Sequence, residues 1–217
     1  MIQITENFQP LDEFGHFTQQ AIMPIIAAKQ GRYWPVGTGF MISPDGLMMT
    51  AAHVIQEAYF RVMGKQPEDG KHHEIEMELY ALYITNEKHG PNNEHNVGGF
   101  ISISNVSYPR ESDIAFCRLR GIVKGDGERL KFPVVKLSPG IPQIGQKVLG
   151  FGYYKMKCDE VGQSEGKTKL EYGQNTAFTK GEIVEIHPQR RDTALLNFPV
   201  FRTSARFDGG DEWRSCF

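Results

Sequence analysis

"GTGFMISPDGLMMTAAHV", Gly37 to Val54, decides how this chain is read. Its centre is "SPDG", Ser43 to Gly46, which has the proline and Asp-Gly chemistry of a tight turn. Before the turn, "YWPVGTGFMI" (Tyr33 to Ile42) has strand composition, with Gly37 and Gly39 inside it. Strand glycines mark bends or places where another part of the chain comes close. After the turn, "LMMT" reads as a return strand, so residues 36–50 predict a β-hairpin. The hairpin delivers the chain to Thr50-Ala51-Ala52-His53, and "AAHVIQEAY" predicts a short helix starting at the strand end. Small residues ahead of His53 let the backbone pack tightly and fix the imidazole.

Outward from this stretch, further segments carry the same strand signature. "IEMELYALYI" (Ile75 to Ile84) is a plausible strand, and "FISISNVSY" alternates with period two. "DIAFCRL" (Asp113 to Leu119), "QKVLGFGYY", "GEIVEIH" and "ALLNFPVFRTSA" add more. Short strands between turns, with 23 glycines and 12 prolines in 217 residues, predict an all-β antiparallel sandwich or barrel. The length suffices for one large domain or two small ones. Residues 1–30 read as an N-terminal extension, with a short helix around Phe17 to Ala28.

The net charge of −2 and the absence of clustered basic residues point away from nucleic acid and membrane surfaces. Three cysteines make no disulfide framework, and Cys117 in "DIAFCRL" reads as a buried core thiol. Glu6, Asp12 and Glu13 stand where a signal peptide carries positive charge. "AIMPIIAA" is too short to span a bilayer, so a cytoplasmic location is expected. "HHEIEM" (His72 to Met77) has Met77 where a zinc motif needs its second histidine. "GQSEGKT" (Gly162 to Thr168) is one residue short of a phosphate loop and reads as a surface loop. No metal or cofactor is implied.

Asp113 opens an apolar strand sixty residues after His53. The following Ile114-Ala115-Phe116 would draw its carboxylate inward, where it needs a partner. A histidine N–H is suitable.

Taken together, "GTGFMISPDGLMMTAAHV" and "SDIAFCRL", and more loosely "IGQKVLGFGY" and "GEIVEI", resemble the trypsin-like serine proteases of the chymotrypsin fold. The resemblance runs over residues 33–217. It implies two antiparallel β-barrels, the first over residues 31–128 and the second over residues 129–217, with a peptide or protein substrate in the cleft between them. By the same resemblance His53 is the general base, and Asp113 holds its tautomer and stabilises the imidazolium.

The family also needs a nucleophile in a Gly-x-Ser-Gly-Gly-Pro loop, whose backbone N–H groups converge on the oxyanion. "FRTSARFDGG" (Phe201 to Gly210) resembles the approach to that loop, which makes Gly210 an oxyanion-loop residue. The chain then reads Asp211-Glu212-Trp213-Arg214-Ser215-Cys216-Phe217, with Glu212 at the nucleophile position and no Ser-Gly-Gly. Ser204 and Ser215 lack the loop chemistry.

One permitted codon string for these last residues is GAT GAG TGG CGG TCC TGT TTT. Without its first base it reads Met-Ser-Gly-Gly-Pro-Val, which restores the family's loop and puts a serine at position 212. The expectation is a frameshifted or truncated serine endopeptidase whose second barrel is incomplete and whose written form is inactive. The alternative is a pseudoprotease that binds a peptide or protein without cleaving it. Arg206, six residues before the nucleophile position, sits where the resemblance places the base of the specificity pocket, hinting at acidic substrate side chains.

Overall fold

The computed structural model describes residues 8–11, 20–64, 78–88, 94–109, 112–123, 127–138, 140–164, 167–191 and 198–205. The architecture is all-β: a closed six-stranded barrel, a partial second sheet and one long helix among the described residues. In chain order the strands are β1 (Phe8–Leu11), β2 (Ile22–Lys29), β3 (Arg32–Ser43) and β4 (Leu47–Thr50). Helix α1 (Ala52–Met63) follows, then β5 (Glu78–Lys88), β6 (Glu94–Ser107) and β7 (Ala115–Leu119). The last described strands are β8 (Lys147–Ser164), β9 (Lys167–His187) and β10 (Val200–Thr203).

The barrel closes in the order β2-β3-β4-β7-β6-β5. The expected hairpin is present as β3 and β4, with Phe40 opposite Met49 and Met41 opposite Met48. Gly46 makes its turn at a φ of 92°, a conformation that favours glycine. Gly37 meets the other demand on strand glycines. A Cβ there would lie 2.7 Å from both Val54 methyl carbons, so only glycine lets α1 sit this close to β3.

β2 corrects the reading of residues 1–30. Of the helix expected around Phe17 to Ala28, residues 17–19 lie outside the described residues, Gln20 and Ala21 are helical, and residues 22–29 form a strand paired with β3 and β5. A short apolar run fits a buried strand as well as a helix, and here both faces are covered. Met23, Ile25 and Ala27 point into the barrel core, whereas Ile26 packs outward on Tyr153 and Met156 of β8. Pro24 is tolerated because β2 pairs with β5 only from Ile25 onward. The first barrel therefore begins before residue 31. It also holds the segment after residue 129: the N–H groups of Phe132 and Val135 donate to the Pro44 and Met41 carbonyls at 3.1 and 2.8 Å.

The second sheet is built on β9. β8 pairs with β9 from Lys147–Glu182 to Ser164–Lys167, while β1 and β10 pair with β9 at Thr176–Thr179 and Ile183–His187. The described residues of "GQSEGKT" are strand, with Gly162 to Ser164 ending β8 and Lys167 and Thr168 opening β9, Ser164 opposite Lys167. The two units meet across Ile26, Leu82, Ile84, Tyr153 and Met156, and the Tyr153 hydroxyl donates to the Ile22 carbonyl at 2.7 Å. Among the described residues no helix is long and apolar enough to cross a membrane.

Candidate active site

The site forms where β4 ends and β7 begins. These strands are neighbours, with Thr50 opposite Ala115, so the residue after β4 and the residue before β7 emerge side by side. Thr50 is fully buried, and its hydroxyl donates to the Thr38 carbonyl at 2.8 Å. That bond satisfies a buried polar group and fixes the end of β4 against β3.

Helix α1 starts immediately afterwards, and its start poses a problem. The first N–H groups of a helix have no partner within it. The N-cap residue is Ala51, which has no side-chain acceptor. Asp113 supplies the acceptors from across the sheet. Its backbone carbonyl accepts the Ala52 N–H at 3.2 Å, and its Oδ1 accepts the His53 N–H at 2.9 Å. A carboxylate is also the favoured charge at a helix N-terminus. The other oxygen, Oδ2, lies 2.6 Å from His53 Nδ1.

One carboxylate thus holds both the backbone and the ring of His53. Donation from Nδ1–H to Asp113 leaves the lone pair on Nε2. Nε2 is shielded from solvent and has no hydrogen-bond partner among the described residues. The side chains as a whole are about one-third exposed, 32% for His53 and 33% for Asp113, so the pair borders solvent although Nε2 itself is covered. An imidazole so held can accept a proton at Nε2 while the carboxylate stabilises the resulting cation.

The structure brings together two of the sequence-derived site residues, His53 and Asp113. Arg206, Gly210 and Glu212 lie outside the described residues, as does "HHEIEM". Among the described residues no cluster of three metal-ligating side chains forms.

Two features were not anticipated from the sequence. The helix-capping role of Asp113 had one available signal, the absence of a capping side chain at Ala51. The second feature is the anchoring of the approach to Gly210. Ser204 exchanges two hydrogen bonds with β9: its N–H donates to the Glu182 carbonyl at 2.9 Å, and its Oγ accepts the Glu182 N–H at 3.0 Å. Gly181 permits this contact, since a Cβ there would lie 2.2 Å from the Ala205 nitrogen.

The family comparison agrees with the motif reading. No curated protein matches the chain in sequence. Among solved structures, the chain is similar to a crystal structure of Deg5, at 17% identity and a TM-score of 0.46, covering 91% of this chain and 73% of that one. It is also similar to the apo MamO protease domain from Magnetospirillum magneticum, at 14% identity and a TM-score of 0.48, covering 91% of this chain and 77% of that one. The family described as "Trypsin-like peptidase domain" matches residues 37–212, which include both His53 and Asp113. The chain belongs to the trypsin-like peptidase family.

Proposed function

We propose that the protein is a serine endopeptidase in which His53 is the general base and Asp113 its orienting partner. The observation that carries this reading is the double hold of Asp113 on His53, which leaves Nε2 as the proton acceptor. Family membership implies a peptide or protein substrate. His53 takes the proton from a serine hydroxyl as the oxygen attacks the scissile carbonyl. The imidazolium then gives that proton to the leaving amine, and water resolves the acyl-enzyme by the same route. On this reading the first barrel supplies His53 and Asp113, and the second unit supplies the oxyanion loop around Gly210.

The serine belongs at position 212, where the chain carries Glu212. A carboxylate there offers no comparable acyl-enzyme route, and loss of the nucleophile in such an enzyme costs about 10⁶ in turnover. One synonymous codon string for the last seven residues, read one base out of register, would give Met-Ser-Gly-Gly-Pro-Val directly after Gly210. Sequencing the coding DNA across codons 205–217 and beyond tests this. A frame that opens through Met-Ser-Gly-Gly-Pro supports the peptidase, and a closed or unrelated frame overturns it.

The second reading is a pseudoprotease, favoured by the absence of Ser-Gly-Gly in the sequence as it stands. It predicts a folded protein that binds peptides and is inert to serine-reactive reagents.

A further inference from the structure

Among the described residues, several exposed cations gather at the end of the barrel remote from His53. β4 and β7 run antiparallel, with Thr50 beside Ala115 at the His53 end and Leu47 beside Arg118 at the other. Arg118 lies five residues beyond Asp113, about 16 Å along an extended chain. Cys117 and Leu119 point into the core, at 0% and 3% exposure, so Arg118 and Arg120 face outward together.

A second extended segment runs alongside. Phe132 is buried, while Arg129 and Lys131 are exposed. This segment is fixed by Leu130 N–H donating to the Ile122 carbonyl at 2.9 Å and Phe132 N–H donating to the Pro44 carbonyl at 3.1 Å. The β3–β4 turn joins the two rows, because Leu119 N–H donates to the Gly46 carbonyl at 2.8 Å and Asp45 pairs with Lys131. The Lys131 ammonium holds the Asp45 carboxyl below the usual carboxylate value, with smaller contributions from Arg118 and Arg129, which places all four groups in one neighbourhood. Among the described residues, no carboxylate lies at ion-pair distance from Arg118, Arg120 or Arg129.

We infer that Arg118, Arg120, Arg129 and Lys131 form a docking face for an extended acidic peptide segment of a protein partner. The argument is one of charge and spacing. The chain has a net charge of −2, yet cations collect here, with the Asp45 carboxylate paired to Lys131 and Glu128 beside Arg129. Residues two apart on an extended chain are about 7 Å apart, so an acidic strand with carboxylates at alternate positions matches either row. Arginine binds carboxylates bidentately, which suits an ordered site better than a diffuse ionic one. Val123, 63% exposed and bridged to Arg129, offers an apolar contact beside the charges. A segment docked here lies away from His53, so the inference stands independently of whether the chain hydrolyses anything.

Fluorescence anisotropy tests it, with a labelled peptide of alternating Glu and Thr as the probe and the Lys/Thr peptide as control. The expected result is saturable binding of the acidic peptide alone. Raising the salt from roughly 0.05 to 0.3 M should weaken it about tenfold or more, as should the Arg118→Ser/Arg129→Ser pair. Arg118→Glu/Arg129→Glu should transfer binding to the Lys/Thr peptide, an outcome that a misfolded variant cannot produce. No saturable binding, or binding insensitive to both double variants, overturns the inference. So does tighter, arginine-dependent binding of single-stranded DNA or of anionic phosphatidylserine vesicles, each of which would assign the face to a different partner.

Discussion

Asp113 holds His53 at two points: Oδ1 accepts the backbone N–H at 2.9 Å, and Oδ2 lies 2.6 Å from Nδ1 of the ring. The same side chain therefore caps helix α1 and orients the imidazole. Function and stability are coupled at this residue, and substitutions there separate the two. Asp113→Asn keeps an acceptor for the His53 N–H but presents either an amide donor or a neutral oxygen to the ring. In the serine-bearing form, turnover should fall by about 10⁴ through loss of the working tautomer. Asp113→Ala also removes the cap and should cost a further ~1 kcal/mol or so of stability, read from denaturant midpoints. Equal midpoints for the two variants would contradict the capping role.

Gly37 tests the packing of α1 on the barrel. A methyl group there meets a β-branched side chain on the helix, with Val54 Cγ1 and Cγ2 both at 2.7 Å. Val54 is buried and its rotamer is stiff, so the helix must shift. Gly37→Ala should cost about 1–3 kcal/mol in thermal unfolding. It should also impair His53, which precedes Val54. The pair Gly37→Ala/Val54→Ala should recover much of the loss, and failure to recover would place the strain elsewhere.

Ser204 is engaged with β9 rather than with the His53 site. Ser204→Ala removes the acceptor for the Glu182 N–H and should lower stability by about 1 kcal/mol. It should leave a serine-directed label in place. Loss of labelling with retained folding would make Ser204 the reactive residue and contradict the assignment of position 212.

Alkaline pH should destabilise the fold through its buried thiols and phenols. Burial pushes the Cys117 thiol up from 9.0 to about 12, and Cys158 to about 11. Burial, with Glu78 nearby, raises Tyr80 to about 12. Below pH 9 the folded and unfolded chains both keep the Cys117 proton. Above it the unfolded chain releases the proton first, so the folded state binds more protons and rising pH favours unfolding. Melting temperature should decline progressively from about pH 9 towards 12, and Cys117→Ala should flatten that slope whatever its effect at pH 7. Cys117 should also resist thiol reagents at pH 8 in the native protein. Rapid modification there would contradict its burial.

Much of the first barrel was legible because its strands alternate cleanly and its turns carry their own chemistry. "SPDG" set the β3–β4 hairpin, and "DIAFCRL" identified β7 with Asp113 just before it. The His53–Asp113 pairing followed from two motifs, since each places its residue at the end of a neighbouring strand. β2 was misread as helix because "IMPIIAAK" is apolar on both faces, and periodicity cannot separate a doubly buried strand from a buried helix. The lengths of β8 and β9 were hidden for another reason. Their outer halves are polar, and a bulge between Tyr154 and Lys157 breaks the alternation. The docking face was invisible in sequence because Arg118 and Arg120 become neighbours of Arg129 and Lys131 only through the β3–β4 turn.

The most direct test of the central claim is fluorophosphonate labelling of protein expressed from the native coding region, with the modified residue mapped by mass spectrometry. The account predicts one phosphonylated serine, at position 212 in a Gly-Met-Ser-Gly-Gly-Pro peptide, with labelling lost in His53→Ala. A folded protein that carries Glu212, ends in the sequence as written and takes no label would contradict it, leaving a peptide-binding relative of the peptidases in its place.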